Sequence, residues 1–298
     1  MFVCWHPMVS TSGIANALLS TAMRHSHVRI APYQLSSSNF RTLSASATSR
    51  PPVTATPARQ SVFQCAIDGP AASGKSSCAA AVARTLGFAY LDSGALFRCI
   101  TLKHLRRGTD PTDWHDFTAA TDLRLTALPP LTGTLDAAPV RPRVYMDGED
   151  VTAAIRTPAV NEHVSFIAAI PDVRTALLAK KRALGGGIDG TLPVPGGYAG
   201  VVMDGRDIGS TVFPHAQLKV FLTAAARVRA ERRVREAGGD RDLIEQELVK
   251  RDALDMARAV SPLRKAGDAV ELDTSAMAQG EVVVMIVGWV RDRMRSGN

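Results

Sequence analysis

Short apolar runs alternate with longer mixed runs along most of the chain. Five apolar runs have the length and composition of buried strands: VFQCAI, FAYLD, GVVMD, QLKVFLTA and AVELDT. Helix-forming runs follow four of them: SCAAAVARTL, ALFRCITLKHLRRG, AARVRAERRVREAG and an amphipathic segment that starts near Glu281. Strands that alternate with helices predict an α/β fold, in which a parallel sheet is flanked by helices on both faces. In such folds ligands bind at the carboxyl ends of the strands.

Residues 122–184 interrupt this alternation. LRLTAL and RVYMDGEDV predict short antiparallel strands, and the stretch from Pro158 to Leu184 predicts two helices that are broken at Pro171. We interpret the segment as an insertion into the core. The Gly/Pro-rich residues 185–200 predict a surface loop, to which the sequence assigns no chemistry.

The first predicted strand leads into a glycine-rich loop. In AIDGPAASGKSS, Gly69 is followed by four residues and then by Gly74-Lys75-Ser76, which is the spacing of a phosphate-binding loop. Backbone N–H groups of such a loop, and the helix N-terminus after it, attract phosphate oxygens. The pattern predicts that Lys75 reaches the β- and γ-phosphates of a nucleotide and that Ser76 holds Mg²⁺. Asp204, at the end of GVVMD, is either a residue that orients the metal's water shell or a simple turn residue.

The net charge of +7 is unevenly distributed. Residues 1–67 contain five arginines and no Asp, Glu or Lys, so they carry five of these seven charges. Residues 1–60 are also rich in Ser and Thr, which is typical of an organellar transit peptide. We expect a disordered leader there that directs the chain to a mitochondrion or a plastid. The alternatives are a disordered extension of a cytoplasmic protein or a start site placed too far upstream.

Composition argues against several other classes of protein. No apolar run approaches the ~20 residues of a membrane-spanning helix, so we expect no membrane partner. With two net positive charges left outside residues 1–67, no nucleic-acid partner is expected either. The cysteines show no paired CxxC spacing, which argues against a disulfide framework and a zinc site; they are Cys4, Cys65, Cys78 and Cys99.

Arginine is far more common than lysine, with 28 residues against 7. Planar guanidinium groups bind phosphates in a bidentate manner, so their positions carry information. Those near predicted strand ends or on predicted helices are Arg98, Arg174, Arg206, Arg232, Arg233, Arg251 and Arg258. The spacing of Arg251, Asp255 and Arg258 predicts that the three share one face of a helix. Together these positions favour phosphate binding.

Six stretches resemble bacterial-type cytidylate kinases, members of the nucleoside monophosphate kinase family of P-loop kinases. They are AIDGPAASGKSS, YLDSGALFR, DGEDVTAAIRTPAV, VSFIAAIPDVRTALL, MDGRDIGSTVFP and RDALDMARAVSPL. The resemblance implies a P-loop nucleoside monophosphate kinase fold over residues 61–298, with an inserted CMP-binding segment at 122–184 and an arginine-bearing lid at about 227–262. It implies transfer of the γ-phosphate of ATP to CMP or dCMP, with Mg²⁺ as cofactor. We expect the chain to act as a monomer.

The resemblance also assigns roles to individual residues. Those implied to surround the ATP phosphates are Gly69, Pro70, Ala71, Ala72, Ser73, Gly74, Lys75, Ser76 and Ser77. Those implied to surround CMP are Ser93, Arg98, Ser165, Arg174, Arg206, Asp207, Arg251, Asp255 and Arg258. Within that set, Ser165 is expected near the cytosine, and Arg206 and Asp207 near the base or sugar. The implied catalytic residues are Lys75, Arg232 and Arg233, and the implied metal site consists of Ser76 and, through water, Asp204.

The chain departs from the family pattern at three places. Phe97 stands where an aromatic residue with a hydroxyl is usual, Ser210-Thr211 replaces Thr-Val, and the glycine-rich loop before Val201 is long. None of these removes a charged site residue. Two alternatives stay open: a P-loop kinase that acts on UMP, shikimate or a similar acceptor, and a P-loop ATPase. DGEDVTAAIRTP argues against the first, and an acceptor site would argue against the second.

Overall fold

The centre of the protein is a five-stranded parallel sheet. The structure, a computed structural model, describes residues 61–126, 128, 141–187, 190, 194 and 196–296. The predicted leader, residues 1–60, lies outside the described residues, as does part of the 185–200 loop. The strands are β1 (Phe63–Asp68), β2 (Ala89–Asp92), β6 (Gly200–Gly205), β7 (Leu218–Thr223) and β8 (Val270–Asp273), in the order β2-β6-β1-β7-β8. The predicted parallel α/β fold is therefore confirmed.

Alternate residues of the central strand serve two layers of core. Cys65 and Ile67 of β1 face α1 (Lys75–Leu86) and α8 (Gln279–Ser296), whose aliphatic side chains form the core on that side. Ala66 faces the other side, where Met203 of β6 is fully buried. Burying one large aliphatic side chain stabilises a fold by about 1.5–3 kcal/mol. The continuous apolar composition of β1 and β6 thus follows from their being covered on both faces.

Residues 93–184 build a second layer beside the sheet. A small antiparallel sheet has the order β3-β4-β5. Helix α2 packs on α4, and α3, which the sequence did not predict, packs on α5. Both α4 and α5 begin at a proline. The N–H groups of a first helical turn have no partner within the helix, so proline, which has no N–H, is well tolerated there. The elements are α2 (Ser93–Arg107), α3 (Trp114–Ala119), β3 (Leu123–Leu125), β4 (Val144–Met146), β5 (Glu149–Asp150), a 3₁₀ helix (Ala154–Arg156), α4 (Pro158–Ile167) and α5 (Pro171–Leu184).

Two charged helices, α6 (Ala226–Ala237) and α7 (Arg241–Met256), lie against each other beyond β7. The Asp240 side chain caps α7 by accepting a hydrogen bond from the N–H of Leu243 at 2.9 Å. The expectation that Arg258 shares a helix face with Arg251 is wrong, because α7 ends at Met256. The chain folds back there, and the N–H of Leu263 donates to the Asp255 carbonyl at 2.8 Å.

A π-helical turn at Ile208–Val212 follows β6 and is hydrogen-bonded to Asp68, the last residue of β1. The buried Asp68 carboxylate accepts hydrogen bonds from the N–H groups of Ile208 at 2.9 Å and Gly209 at 2.7 Å. This contact fixes the direction in which the chain leaves β6. It therefore sets where Arg206 and Asp207, which immediately precede the turn, lie at the sheet edge.

Candidate active site

The phosphate loop occupies the turn between β1 and α1. Gly69 has a φ of +153°, and a Cβ there would lie 2.2 Å from the Leu222 carbonyl oxygen of β7, so a side chain is excluded. Gly74 is in the left-handed region, with a φ of +85°, directly before the first helical residue. Lys75 Nζ donates to the Pro70 carbonyl oxygen at 2.8 Å. Burial, with Arg206 nearby, lowers the pKa of this lysine.

Ser76 lies beside a buried carboxylate. Its Oγ donates to Asp204 Oδ2 at 2.6 Å, and the Tyr90 hydroxyl donates to Asp204 Oδ1 at 2.8 Å. Asp204 is paired in register with Asp92 on the neighbouring strand. Burial, and then the charge of Asp92, raise the pKa of Asp204. The prediction of Asp204 at a strand end is confirmed, and the structure places it in contact with Ser76.

A cleft of about 410 Å³ lies over the carboxyl ends of the strands. It extends from the phosphate loop to α4, α5 and α7. The predicted residues on its wall are Ala71, Ala72, Gly74, Lys75, Ser76, Ser77, Ser93, Arg98, Ser165, Arg174, Asp204, Arg206, Asp207, Arg232, Arg233, Arg251, Asp255 and Arg258. The predicted residues that do not line it are Gly69, Pro70 and Ser73. The last three belong to the buried side of the loop, and only backbone atoms of the loop are needed to bind phosphate.

Asp207 is buried under the cleft and engages two cations. Arg174 donates to its Oδ2 at 2.7 Å, and Lys181 Nζ lies 3.4 Å from its Oδ1. Burial alone would raise the pKa of Asp207, but Lys181 and Arg174 together hold it below the usual value. The Arg174 and Lys181 groups also lie 5.2 and 5.4 Å from the Phe97 ring centroid. Asp207 thus orients Arg174, a role that the sequence did not suggest.

Asp255 lies between Arg206 and Arg258, two further arginines of this wall. Its Oδ2 lies 2.8 Å from Arg206 Nε, and its Oδ1 lies 2.5 Å from Arg258. Although Arg258 lies beyond the end of α7, the fold-back of the chain returns its guanidinium group to the carboxylate. Asp255 and Arg258 therefore meet by a route that differs from the predicted shared helix face. Arg251, the third residue of that prediction, forms no ion pair with either of them.

Arg251 differs from its neighbours on the wall. It is mostly buried, yet within the described part of the chain its guanidinium group has no hydrogen bond and no ion pair, and Nε is buried without a partner. Burial, together with the nearby charge of Arg206, lowers its pKa to about 10. A mostly buried guanidinium group that has no direct ion pair is suited to bind an anion that enters the cleft.

Helix α6 contributes two arginines to the opposite wall. Arg232 donates to the Oγ1 of Thr274 at 3.1 Å and to its carbonyl oxygen at 2.5 Å, and its Nη1 lies 3.9 Å from the position of a Cβ on Gly74. Arg233 is exposed at the cleft margin. Arg232 therefore lies beside the phosphate loop, and Arg233 lines the same cleft.

Several residues of the wall were not predicted from the sequence. Arg98 donates to the Asn161 side chain at 2.5 Å, and Arg156 lies 4.0 Å from Asp92. Both Arg156 and Asn161 lie in or directly after the motif DGEDVTAAIRTPAV, which was recognised without assigning them a role. The missed residues include Tyr90, Gly94, Arg141, Arg156, Asn161 and Glu236.

Two further findings bear on the class of protein. None of the helices in the described part of the chain has the length and apolar character that crossing a bilayer requires. Among the same residues there is no group of three or more His, Cys, Asp or Glu side chains arranged to hold a metal. An all-protein metal cage is thus not part of the described site.

Comparisons with known proteins agree with this geometry. The cytidylate kinase family model matches residues 65–292. Relatives named cytidylate kinase include those of Streptomyces griseus, 41% identical over 79% of this chain and 95% of theirs, and Desulfitobacterium hafniense, 42% identical over 79% and 95%. A third, from Pelotomaculum thermopropionicum, is 41% identical over 76% and 94%. The phosphate loop, the arginine-lined cleft and these matches together establish that this chain belongs to the cytidylate kinase family.

Proposed function

We propose that this chain transfers the γ-phosphate of ATP to CMP or dCMP, giving ADP and CDP or dCDP. The observation that carries the proposal is that one cleft joins a phosphate loop to a separate set of arginines on α5, α7 and the end of β6. The loop suits a nucleoside triphosphate, and the separate set suits a second phosphorylated molecule. Hydrolysis needs only a water molecule as the acceptor, so a set of arginines separate from the phosphate loop favours transfer to a second phosphorylated molecule.

The donor end of the cleft is proposed to act by charge neutralisation. Phosphoryl transfer depends on positioning and on stabilising charge on the transferred group, rather than on covalent chemistry of the protein. Lys75, Arg232 and Arg233 are the cations that we assign to this task. The acceptor phosphate is already an anion, so the protein needs no strong general base.

The residues around Ser76 fit the Mg²⁺ that accompanies ATP. Mg²⁺ prefers oxygen ligands, keeps several water molecules, and is held by one or two protein groups together with phosphates. The Ser76 hydroxyl and the Asp204 carboxylate, 2.6 Å apart, offer such oxygens. When bound, the ion would neutralise part of the phosphate charge. Ser76 would then be a direct ligand and Asp204 would hold the water shell.

The acceptor end is proposed to bind CMP through Arg174, Arg251 and Arg258. Arg174 and Arg258 are already oriented by Asp207 and Asp255, whereas Arg251 has no partner of its own. Ser93 and Arg98 would complete the nearby wall, with Ser165 on the side of the base. We also assign Arg206 and Asp207 to the base or sugar.

We further propose that residues 1–60 direct the chain to a mitochondrion or a plastid and that the catalytic unit is a monomer. The five arginines and the absence of acids in the leader support the first proposal. Fusing residues 1–60 to a fluorescent reporter tests the targeting. A purely cytosolic signal would contradict it.

A coupled assay for ADP release tests the proposed reaction. ATP and Mg²⁺ are combined with CMP, dCMP, UMP, AMP or GMP in turn, and we expect ADP release to depend on CMP or dCMP. Arg106→Met is a matched control for loss of an arginine, because Arg106 lies outside the cleft in an exposed pair with Glu149. Release of ADP without any acceptor would favour a P-loop ATPase. A preference for UMP would favour a P-loop kinase that acts on UMP or a similar acceptor.

A further inference from the structure

Two charged residues outside the cleft wall hold the apex of the phosphate loop. The Asp252 Oδ1 of α7 accepts a hydrogen bond from the N–H of Ala71 at 3.0 Å, and Arg229 Nη1 of α6 donates to the Ala71 carbonyl oxygen at 2.9 Å. The two side chains also pair with each other, with 2.6 Å between Arg229 Nη1 and Asp252 Oδ2. Both backbone polar groups of one loop residue are thus bound by the α6–α7 pair.

The contact is shielded from water. The side chains of Arg229 and Asp252 are 8% and 9% exposed. A small apolar cluster of Ala71, Ala230 and Leu248 is buried beside them. Hydrogen bonds to charged groups in such surroundings are stronger than those at the surface. The loop apex is therefore attached firmly to both helices.

Helix α7 faces both ends of the cleft. Asp252 directly follows Arg251, and successive residues of an α-helix point about 100° apart, so one turn presents Asp252 to the donor loop and Arg251 to the acceptor side. Asp255, less than one turn later, holds Arg206 and Arg258. A small shift of α7 would consequently move the acceptor arginines and the donor loop together.

We propose that Arg229 and Asp252 are positioning residues that couple the donor loop to the acceptor arginines, so that binding of one nucleotide favours binding of the other. The inference rests on the proposed function, since it requires two nucleotide sites in one cleft. A purely structural role explains the geometry less well. A buried ion pair is weak evidence for stability. Both members of this pair form hydrogen bonds with the backbone of Ala71, a residue that lines the cleft.

Calorimetric titration of the full chain with a non-hydrolysable ATP analogue, with and without saturating CMP, tests the coupling. Removing one partner leaves a buried charge unpaired and can prevent folding, so the main variant is the double change Arg229→Met with Asp252→Leu, which removes both side-chain contacts to Ala71 and leaves no charge unpaired. In the wild-type chain we expect CMP to tighten binding of the analogue about 10-fold. In the double variant we expect that ratio to fall to about 1, with the Kd for CMP alone within about 2-fold of wild type.

Ile286→Val serves as a control for lowered stability, since Ile286 is buried in the α8 core away from the loop. It should lower the melting temperature and keep the tightening by CMP. The inference is overturned if the double variant keeps the coupling, or if Ile286→Val loses it. A wild-type chain that binds both nucleotides without coupling overturns this inference alone, whereas one that binds no CMP overturns the proposed function as well.

Discussion

Replacing Arg251 with methionine should weaken use of CMP and stabilise the protein at the same time. Arg251 faces the cleft without a hydrogen bond or an ion pair among the described residues. Its guanidinium group is therefore free to form a charge-assisted hydrogen bond with the phosphate of an incoming nucleotide. A charge-assisted hydrogen bond contributes about 1.5–3 kcal/mol. We therefore expect kcat/KM for CMP to fall roughly 10- to 150-fold. The KM for ATP should change little.

The stability gain follows from the cost of burying this charge. Burial is the first cause that lowers the pKa of Arg251 from the usual value of an arginine to about 10. Each pKa unit corresponds to about 1.4 kcal/mol, which sets an upper limit of roughly 3 kcal/mol for the cost. Because the group is partly exposed, solvent screening reduces this, and we expect a gain of about 1–2 kcal/mol. Arg251 stays protonated in both states below pH 9, so the gain should not vary between pH 6 and 8.

Arg174→Met provides the contrast. It leaves the buried Asp207 with Lys181 alone, at 3.4 Å, so the same loss of an arginine should destabilise the protein here. Urea unfolding measures both stabilities, and initial rates at varied CMP and varied ATP separate the two KM values. A destabilised Arg251→Met protein, or equal damage to both KM values, would refute the argument that Arg251 is held unpaired for the acceptor.

Three further outcomes are expected. Lys75→Ala should lower kcat about 10²–10³-fold in the ADP-release assay with an unchanged circular dichroism spectrum; a near-normal kcat would place the ATP phosphates elsewhere. Burial raises the pKa of Asp68 to about 7, so the folded chain holds a proton there that the unfolded chain loses near pH 4. Wild type should therefore lose about 3 kcal/mol relative to Asp68→Asn between pH 5 and pH 8 in urea unfolding, and parallel curves would contradict this. A chain that starts at Ser61 should keep full turnover, and a folded but inactive one would show that residues 1–60 take part in catalysis.

The order of the main elements could be predicted because local signals were strong. The run VFQCAI before the glycine loop and Gly108 after α2 mark boundaries that the structure reproduces. Helix α3 was missed, since six residues are too short to show a helical period. The end of α7 was misplaced for a different reason: the pattern continues through Arg258, while the fold-back of the chain at Leu263 stops the helix.

The site was predictable as a set of residues but not as a set of contacts. The phosphate-loop spacing and the motif matches named most of the charged residues that line the cleft. They could not show that Asp207 lies beneath Arg174, or that Tyr90 and Ser76 share Asp204, because those pairs are separated by 33, 114 and 128 residues. Long-range contacts of this kind depend on strand order. Neither residue type nor spacing encodes that order directly.

The balance of charge in the cleft is the reason for expecting opposite effects on stability from the loss of different arginines. In the described chain ten cationic side chains line the cleft against five acidic ones, a surplus of the sign that phosphates neutralise. Clustered cations repel each other, and Asp255 reduces that repulsion by lying between Arg206 and Arg258. Losing Asp255 would therefore free two arginines at once and cost both stability and orientation. Losing Arg251 should remove repulsion and weaken only the binding of the proposed acceptor, so we expect the carboxylates of this wall to matter for the fold and Arg251 to matter for the ligand.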